Sequence, residues 1–122
     1  EAGRARRREA VEAFLAASRD GDFEGLLAVL APEVEFRTDG AGVQLGAPER
    51  MRGSSAIAQY FKGRAVGAKP AVIGDGVGLV VFIAGRLRIA IRLTIDDDRI
   101  SFIEAVAEPE ALAQLEYRIT GD

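Results

Sequence analysis

The tightest constraint in this 122-residue chain is a ten-residue alternation. Leu87, Ile89, Ile91, Leu93 and Ile95 hold one parity, and Arg86, Arg88, Ala90, Arg92 and Thr94 hold the other. Successive side chains on a strand point to opposite faces, so a strict period of two predicts a half-buried β-strand. Turn-forming residues bound it, Ala84-Gly85 before and Asp96-Asp97-Asp98 after. Upstream, Leu79, Val80, Val81, Phe82 and Ile83 are continuously apolar, as expected of a strand covered on both faces. Gly74-Asp75-Gly76 divides that run from residues 71–73, and Asp-Gly is a strong hairpin signal. With a further strand at residues 99–106, the second half of the chain reads as a three- or four-strand antiparallel meander.

The first half changes period. Ala10, Val11, Phe14, Leu15 and Ser18 recur at helical spacing within residues 6–19, the stripe of an amphipathic helix. Asp20-Gly21-Asp22 interrupts it, and Asp22 is placed to cap a second helix with Phe23, Leu26, Leu27 and Leu30 on its apolar face. Pro32 is expected to close this helical hairpin. Val34, Phe36 and Thr38 then alternate with Glu35, Arg37 and Asp39 as a strand. A glycine-containing stretch follows, with a short strand expected at residues 43–45. Ser54 or Ser55 is expected to cap a third helix carrying Ile57, Tyr60 and Phe61 inward. Glu108-Pro109-Glu110 opens a short C-terminal helix with Leu112 and Leu115. Helices segregated onto one face of a curved antiparallel sheet make an α+β domain. No repeat or linker divides the chain, so residues 1–122 read as one domain.

Composition narrows the chemistry. The chain has no cysteine and no histidine, which excludes thiol nucleophiles, histidine-dependent triads and the usual zinc sites. Carboxylates, Tyr, Lys, Arg, Ser and Thr remain. A net charge of −3 argues against direct nucleic-acid binding, which leaves a basic footprint. No apolar run approaches the roughly 20 residues of a membrane span, so a cytoplasmic location is expected. The chain begins at Glu1 and its one methionine is Met51, as expected of a piece of a longer protein.

The order of elements is similar to the nuclear-transport-factor-like or ketosteroid-isomerase-like cone, which has a cystatin-like architecture. Local wording carries the likeness further. Arg6-Arg7-Arg8-Glu9-Ala10-Val11, Phe14-Leu15-Ala16-Ala17, Asp20-Gly21-Asp22-Phe23 and Leu30-Ala31-Pro32-Glu33-Val34 resemble the SnoaL-like domain at the C-terminus of certain extracytoplasmic-function sigma factors. Asp39-Gly40-Ala41-Gly42-Val43 is similar to that subgroup's Asp-Gly-Gly-Gly-Lys loop, with Val43 in place of the lysine. Glu108-Pro109-Glu110-Ala111-Leu112 is similar to its Asn-Pro-Asp-Lys-Leu tail, with Glu108 and Ala111 in place of the asparagine and lysine. The resemblance implies a regulatory module rather than a catalyst. Its partners would be the sigma regions of the same chain and RNA polymerase, with no cofactor and no metal. A free-standing SnoaL-like isomerase, cyclase or ligand-binding protein is the second reading, and a homodimerisation module the third.

Three sets of residues are candidate sites. Arg86, Arg88 and Arg92 form a basic row suited to an acidic protein surface, since arginine is enriched at interfaces. The plainer reading is a solvated face whose arginine stems cover apolar neighbours. The resemblance adds Gly40, Gly42, Glu108, Pro109, Glu110 and Leu112 to that interface. Asp39, Glu104 and Tyr60 are the candidate pocket residues, for an apolar ligand or for acid–base work by a desolvated carboxylate. Against that stand Asp39 as a loop residue, Glu104 as an ion-pair partner and Tyr60 as core. Asp96-Asp97-Asp98 reads as a hairpin tip rather than a cation site, because three adjacent residues there cannot converge on one ion. Gly74-Asp75-Gly76-Val77-Gly78 lacks the helix and lysine of a phosphate loop. Arg4, Arg6, Arg7 and Arg8, diluted by Glu1, Glu9 and Glu12, read as a solvated helix face.

Overall fold

The structure, a computed structural model, describes residues 2–65 and 67–121; Glu1, Val66 and Asp122 lie outside the described residues. Two helices, α1 (Ala2–Asp20) and α2 (Phe23–Val29), open the chain, followed by β1 (Leu30–Thr38), α3 (Gly40–Gln44), β2 (Arg50–Arg52) and α4 (Ser54–Phe61). The meander comprises β3 (Ala68–Ile73), β4 (Gly76–Ile83), β5 (Arg86–Asp96) and β6 (Arg99–Val106), and α5 (Pro109–Ala113) and β7 (Tyr117–Ile119) complete the order. One curved seven-stranded sheet runs β2-β1-β6-β5-β4-β3-β7. The fold is α+β, as the periodicities predict. The sheet is mixed rather than wholly antiparallel: the meander is antiparallel, but β1 lies parallel to β6. A parallel pair needs a long crossover, and here that crossover is everything between residues 39 and 98.

The sheet has two apolar faces. On one, Leu79 and Ile103 are fully buried in one cluster with Phe14 of α1, Leu26 of α2 and Ile57 of α4. Alternation sends Val80 and Ala90 to the other face, where Leu112 of α5 and the half-buried Phe82 and Leu87 cover them. Phe14, Phe36, Tyr60 and Phe61 interlock, with centroids 5.2 Å apart for Phe14–Phe61 and 5.8 Å for Phe36–Phe61. Ser18 is the buried polar exception in α1. Its hydroxyl donates to the Phe61 carbonyl at 2.5 Å and its own carbonyl accepts from Gly63 N at 2.7 Å, which fixes α1 against the end of α4. As expected, Asp22 caps α2 by accepting from Gly25 N at 3.0 Å.

Four local expectations are corrected. Residues 43–45 do not form a strand; Gly40–Gln44 is helical because Asp39 caps it. The cap of α4 is Gly53 at φ 96° with no side-chain bond, rather than Ser54 or Ser55. Pro32 does not end the helical hairpin but lies within β1, where the register against β6 shifts between Leu30 and Glu35. A residue without an N–H is tolerated at such an irregularity. Finally, Leu87 does not share a face with Ile89. Val81 pairs with Ile89 and Phe82 with Leu87, so Arg88 is an extra residue and the alternation inverts there.

Gly78 of β4 faces the β5 backbone so closely that a methyl group there would collide with the Ile91 carbonyl oxygen. Backbone cannot move aside as a flexible side chain can. Gly78→Ala should therefore cost about 1–3 kcal/mol, the range of core overpacking, read from the urea midpoint; an unchanged midpoint would refute this close approach.

Candidate functional site

One carboxylate organises the region where β1 and β6 end. Asp39 is extended (φ −83°, ψ 179°), and its Oδ1 accepts from Gly42 N at 2.9 Å, capping α3. Its Oδ2 accepts from Ala107 N at 2.9 Å and Glu108 N at 3.0 Å, where the chain leaves β6 for α5. One residue earlier, the buried Thr38 hydroxyl donates to the Ala105 carbonyl at 3.1 Å. Gly42 packs directly onto Thr38, leaving no room for a Cβ. Burial raises the Asp39 pKa, but backbone hydrogen bonds from Ala107, Gly42 and Glu108 outweigh it and hold the carboxyl below its ordinary value. Asp39 is therefore an anion committed to structure. It is not the proton-holding, desolvated acid that its place beside a pocket suggested.

Around this junction opens a cleft of about 860 Å³. Its walls come from three distant stretches: Gly40, Ala41, Gln44 and Leu45; Arg86, Leu87 and Arg88; and Ala107, Glu108, Pro109, Leu112 and Ala113. The structure thus gathers most of the predicted interface set: Gly40, Arg86, Arg88, Glu108, Pro109 and Leu112. Gly42 is buried behind the cleft wall, and Glu110 is exposed outside it. Arg92 does not join its row. It pairs with Glu104 at 4.0 Å across β5 and β6, whereas Arg86 and Arg88 make no ion pair among the described residues. Leu45, Leu87, Pro109 and Leu112 are apolar residues of its lining, and Leu45 is 55% exposed.

A second space, of about 430 Å³, lies on the helix-covered face of the sheet. Phe36, Phe61, Leu79, Val81, Ile89 and Ile91 give it apolar walls, and Thr38, Tyr60 and Arg64 are its polar side chains. Of the three predicted pocket residues only Tyr60 lines it. Glu104 is absent because Ile103 and Ala105 face the core, and strand parity sends Glu104 to the opposite face with Arg92. Asp39 is held at the α3 cap. Among the described lining residues there is no carboxylate. Arg64 was not anticipated, although its spacing from Tyr60 (i, i+4) would have flagged the pair. Its guanidinium stands 4.4 Å from the Tyr60 ring centroid, and its Nε donates to the Tyr60 carbonyl at 2.7 Å.

The remaining motifs take structural places. At the β5–β6 hairpin tip, Asp97 and Asp98 adopt φ 52° and 66°, Asp96 accepts from the Ser101 hydroxyl at 2.8 Å, and Asp98 lies 4.0 Å from Arg6. Gly74-Asp75 is the two-residue turn between Ile73 and Gly76. No described helix is long and apolar enough to cross a membrane.

Neither a protein-family model nor a curated protein matches the chain. Solved structures match its fold. The Mycobacterium tuberculosis extracytoplasmic function sigma factor SigJ superposes with a TM-score of 0.67 at 20% identity, covering 88% of this chain and 44% of that one. The chain therefore spans less than half the length of that sigma factor. A cystatin-like-fold protein of unknown function from Methylobium petroleophilum PM1 gives 0.64 at 19% identity, over 98% of this chain and 86% of its own. An LEH-like epoxide hydrolase from M. tuberculosis gives 0.56 at 22% identity, over 85% and 84%. The fold is NTF2-like and cystatin-like, and these neighbours include both a sigma factor and an epoxide hydrolase.

Because folding lowers the Asp39 pKa, its contribution to stability is complete above the unfolded carboxyl value of about 4 and is lost as pH falls through the folded value. Asp39→Ala leaves three backbone N–H groups without their acceptor and should cost about 1–3 kcal/mol at neutral pH. Its stability should also fall less steeply below about pH 4 than that of the wild type. Urea titrations at pH 7 and pH 3 check both, and equal losses in the two proteins on acidification would refute the role given to this carboxylate.

Proposed function

We propose that this chain is the regulatory SnoaL-like domain of an extracytoplasmic-function sigma factor, which modulates transcription initiation by docking its cleft onto the sigma regions. The observation that carries this reading is the convergence of Gly40–Gln44, Arg86 with Arg88, and residues 107–113 on one open cleft. The first and last of these are the segments whose wording resembles the sigma-linked subgroup. Two arginines that make no ion pair among the described residues, in a lining shared with Leu45, Leu87 and Leu112, suit an acidic surface with protruding apolar side chains, which is the chemistry of a protein interface. The fold likeness to SigJ supports the same direction.

The apolar cavity favours a second reading, a SnoaL-like protein acting on or binding a small molecule. Acid–base catalysis is the weaker form of that reading, because the described lining supplies no carboxylate to hold or take a proton.

The first reading requires two helical sigma regions, about 170–200 residues by ordinary domain sizes, encoded in the same open reading frame. With those regions supplied as a separate polypeptide, the double variant Arg86→Glu/Arg88→Glu should bind at least about tenfold more weakly, while Arg92→Glu should have a smaller effect. Wild-type affinity should also fall as ionic strength rises. A reading frame without sigma regions, or charge-reversed protein with native circular dichroism and unchanged affinity, would overturn it.

A further inference from the structure

The cavity on the helix-covered face presents a cation with no ion-pair partner among the described residues. Arg64 lies just beyond the end of α4, and two contacts fix its guanidinium: the face of the Tyr60 ring at 4.4 Å and the Tyr60 carbonyl, which accepts from Nε at 2.7 Å. Nε is thereby occupied. The terminal N–H groups donate to no described residue, and no carboxylate lies within ion-pair distance among the described residues. Arg64 is exposed and is one of the residues lining the cavity. Most of the other walls are aliphatic and aromatic.

A helix end alone accounts for part of this arrangement, since a cation near the last carbonyls is favourable. It does not account for a guanidinium held over the face of an aromatic ring, with terminal donors that meet no described residue, in the lining of an apolar chamber of about 430 Å³. That volume falls within the roughly 300–1,000 Å³ of small-molecule sites, which pair apolar walls with a few fixed polar groups. Guanidinium donors match a carboxylate in geometry and charge. An inorganic anion would leave the walls unpaired, and an extended peptide would bring backbone groups that they cannot satisfy.

We propose that the cavity binds a small organic carboxylate with an apolar, ring-sized body, its anionic end held by Arg64 and its body seated against Leu79, Val81, Ile89 and Ile91. The site lies on the face of the sheet opposite Arg92 and Glu104, and it does not depend on what docks in the cleft.

The test uses two probes of matched shape, 4-phenylbenzoate and neutral 4-phenylbenzyl alcohol, titrated by calorimetry, with methyl NMR shifts of Leu79, Val81, Ile89 and Ile91 reporting where they sit. Wild-type protein should bind the carboxylate the more tightly of the two, with those methyl groups shifted. Arg64→Met should weaken the carboxylate on the order of ten- to a hundredfold, leave the alcohol within about twofold, and keep the thermal midpoint, because the side chain is exposed. Arg64→Lys should recover part of the carboxylate affinity. Equal affinities for the two probes, loss of both in Arg64→Met, no binding of either probe at millimolar concentration, or shifts confined to cleft residues would each overturn the proposal.

Discussion

The three backbone N–H groups that converge on Asp39 are the constraint on which the rest of this end of the molecule depends. The parallel pairing of β1 with β6 has no hairpin to set its register, so something must fix the strand ends to each other. Thr38 does this by donating to the Ala105 carbonyl, and Asp39 does it by accepting from Ala107 and Glu108. The same carboxylate starts α3 through Gly42. A single side chain therefore fixes where β1 stops, where α3 starts and where α5 departs. Because Leu45 and Ala107 line both spaces, the cleft and the interior cavity are two sides of one wall whose corner is this anion.

That use of Asp39 has a chemical consequence. An acid or base working near neutral pH needs a pKa pushed towards 7, by burial or by a like charge. Hydrogen bonds to the ionised form push the other way, and here they win over burial. Glu104 is unable to substitute, since it lies on the opposite face beside Arg92. The polar side chains that the described lining of the cavity does supply are Arg64, Tyr60 and Thr38.

Legibility in the sequence follows the range of the forces involved. The meander, the helical hairpin and the Asp22 cap were readable because side-chain period and capping act over a few residues. The α3 segment misled because Val43 and Leu45 look like a short apolar strand, whereas the acceptor that decides the matter, Asp39, is itself positioned by residues 107 and 108. Strands β2 and β7 are three residues each, too short for any period, and exist only because β1 and β3 offer an edge. That Glu104 pairs with Arg92 and does not line the cavity has a related reason. Which parity of β6 faces inward is set by its partners β1 and β5, and residues 99–106 carry apolar side chains on both parities. The convergence of the cleft segments was suggested by family wording, and its geometry needed the fold.

The mixed character of the cleft comes from a backbone irregularity. In a regular strand Arg86 and Arg88 would share one face and Leu87 the other, so a cleft could be lined by the arginines or by the leucine but not by both. With Val81 opposite Ile89 and Phe82 opposite Leu87, Arg88 has no partner on β4 and the alternation inverts. All three consecutive residues then reach the cleft, and Leu87 joins Phe82 and Leu112 in the apolar cluster on that face of the sheet. A bulge at a sheet rim is a known way to re-aim side chains. Here it turns a strand that reads as one apolar and one basic face into a local surface that is both at once. The long alternation that best defines the fold therefore breaks at the position where the fold meets its surroundings.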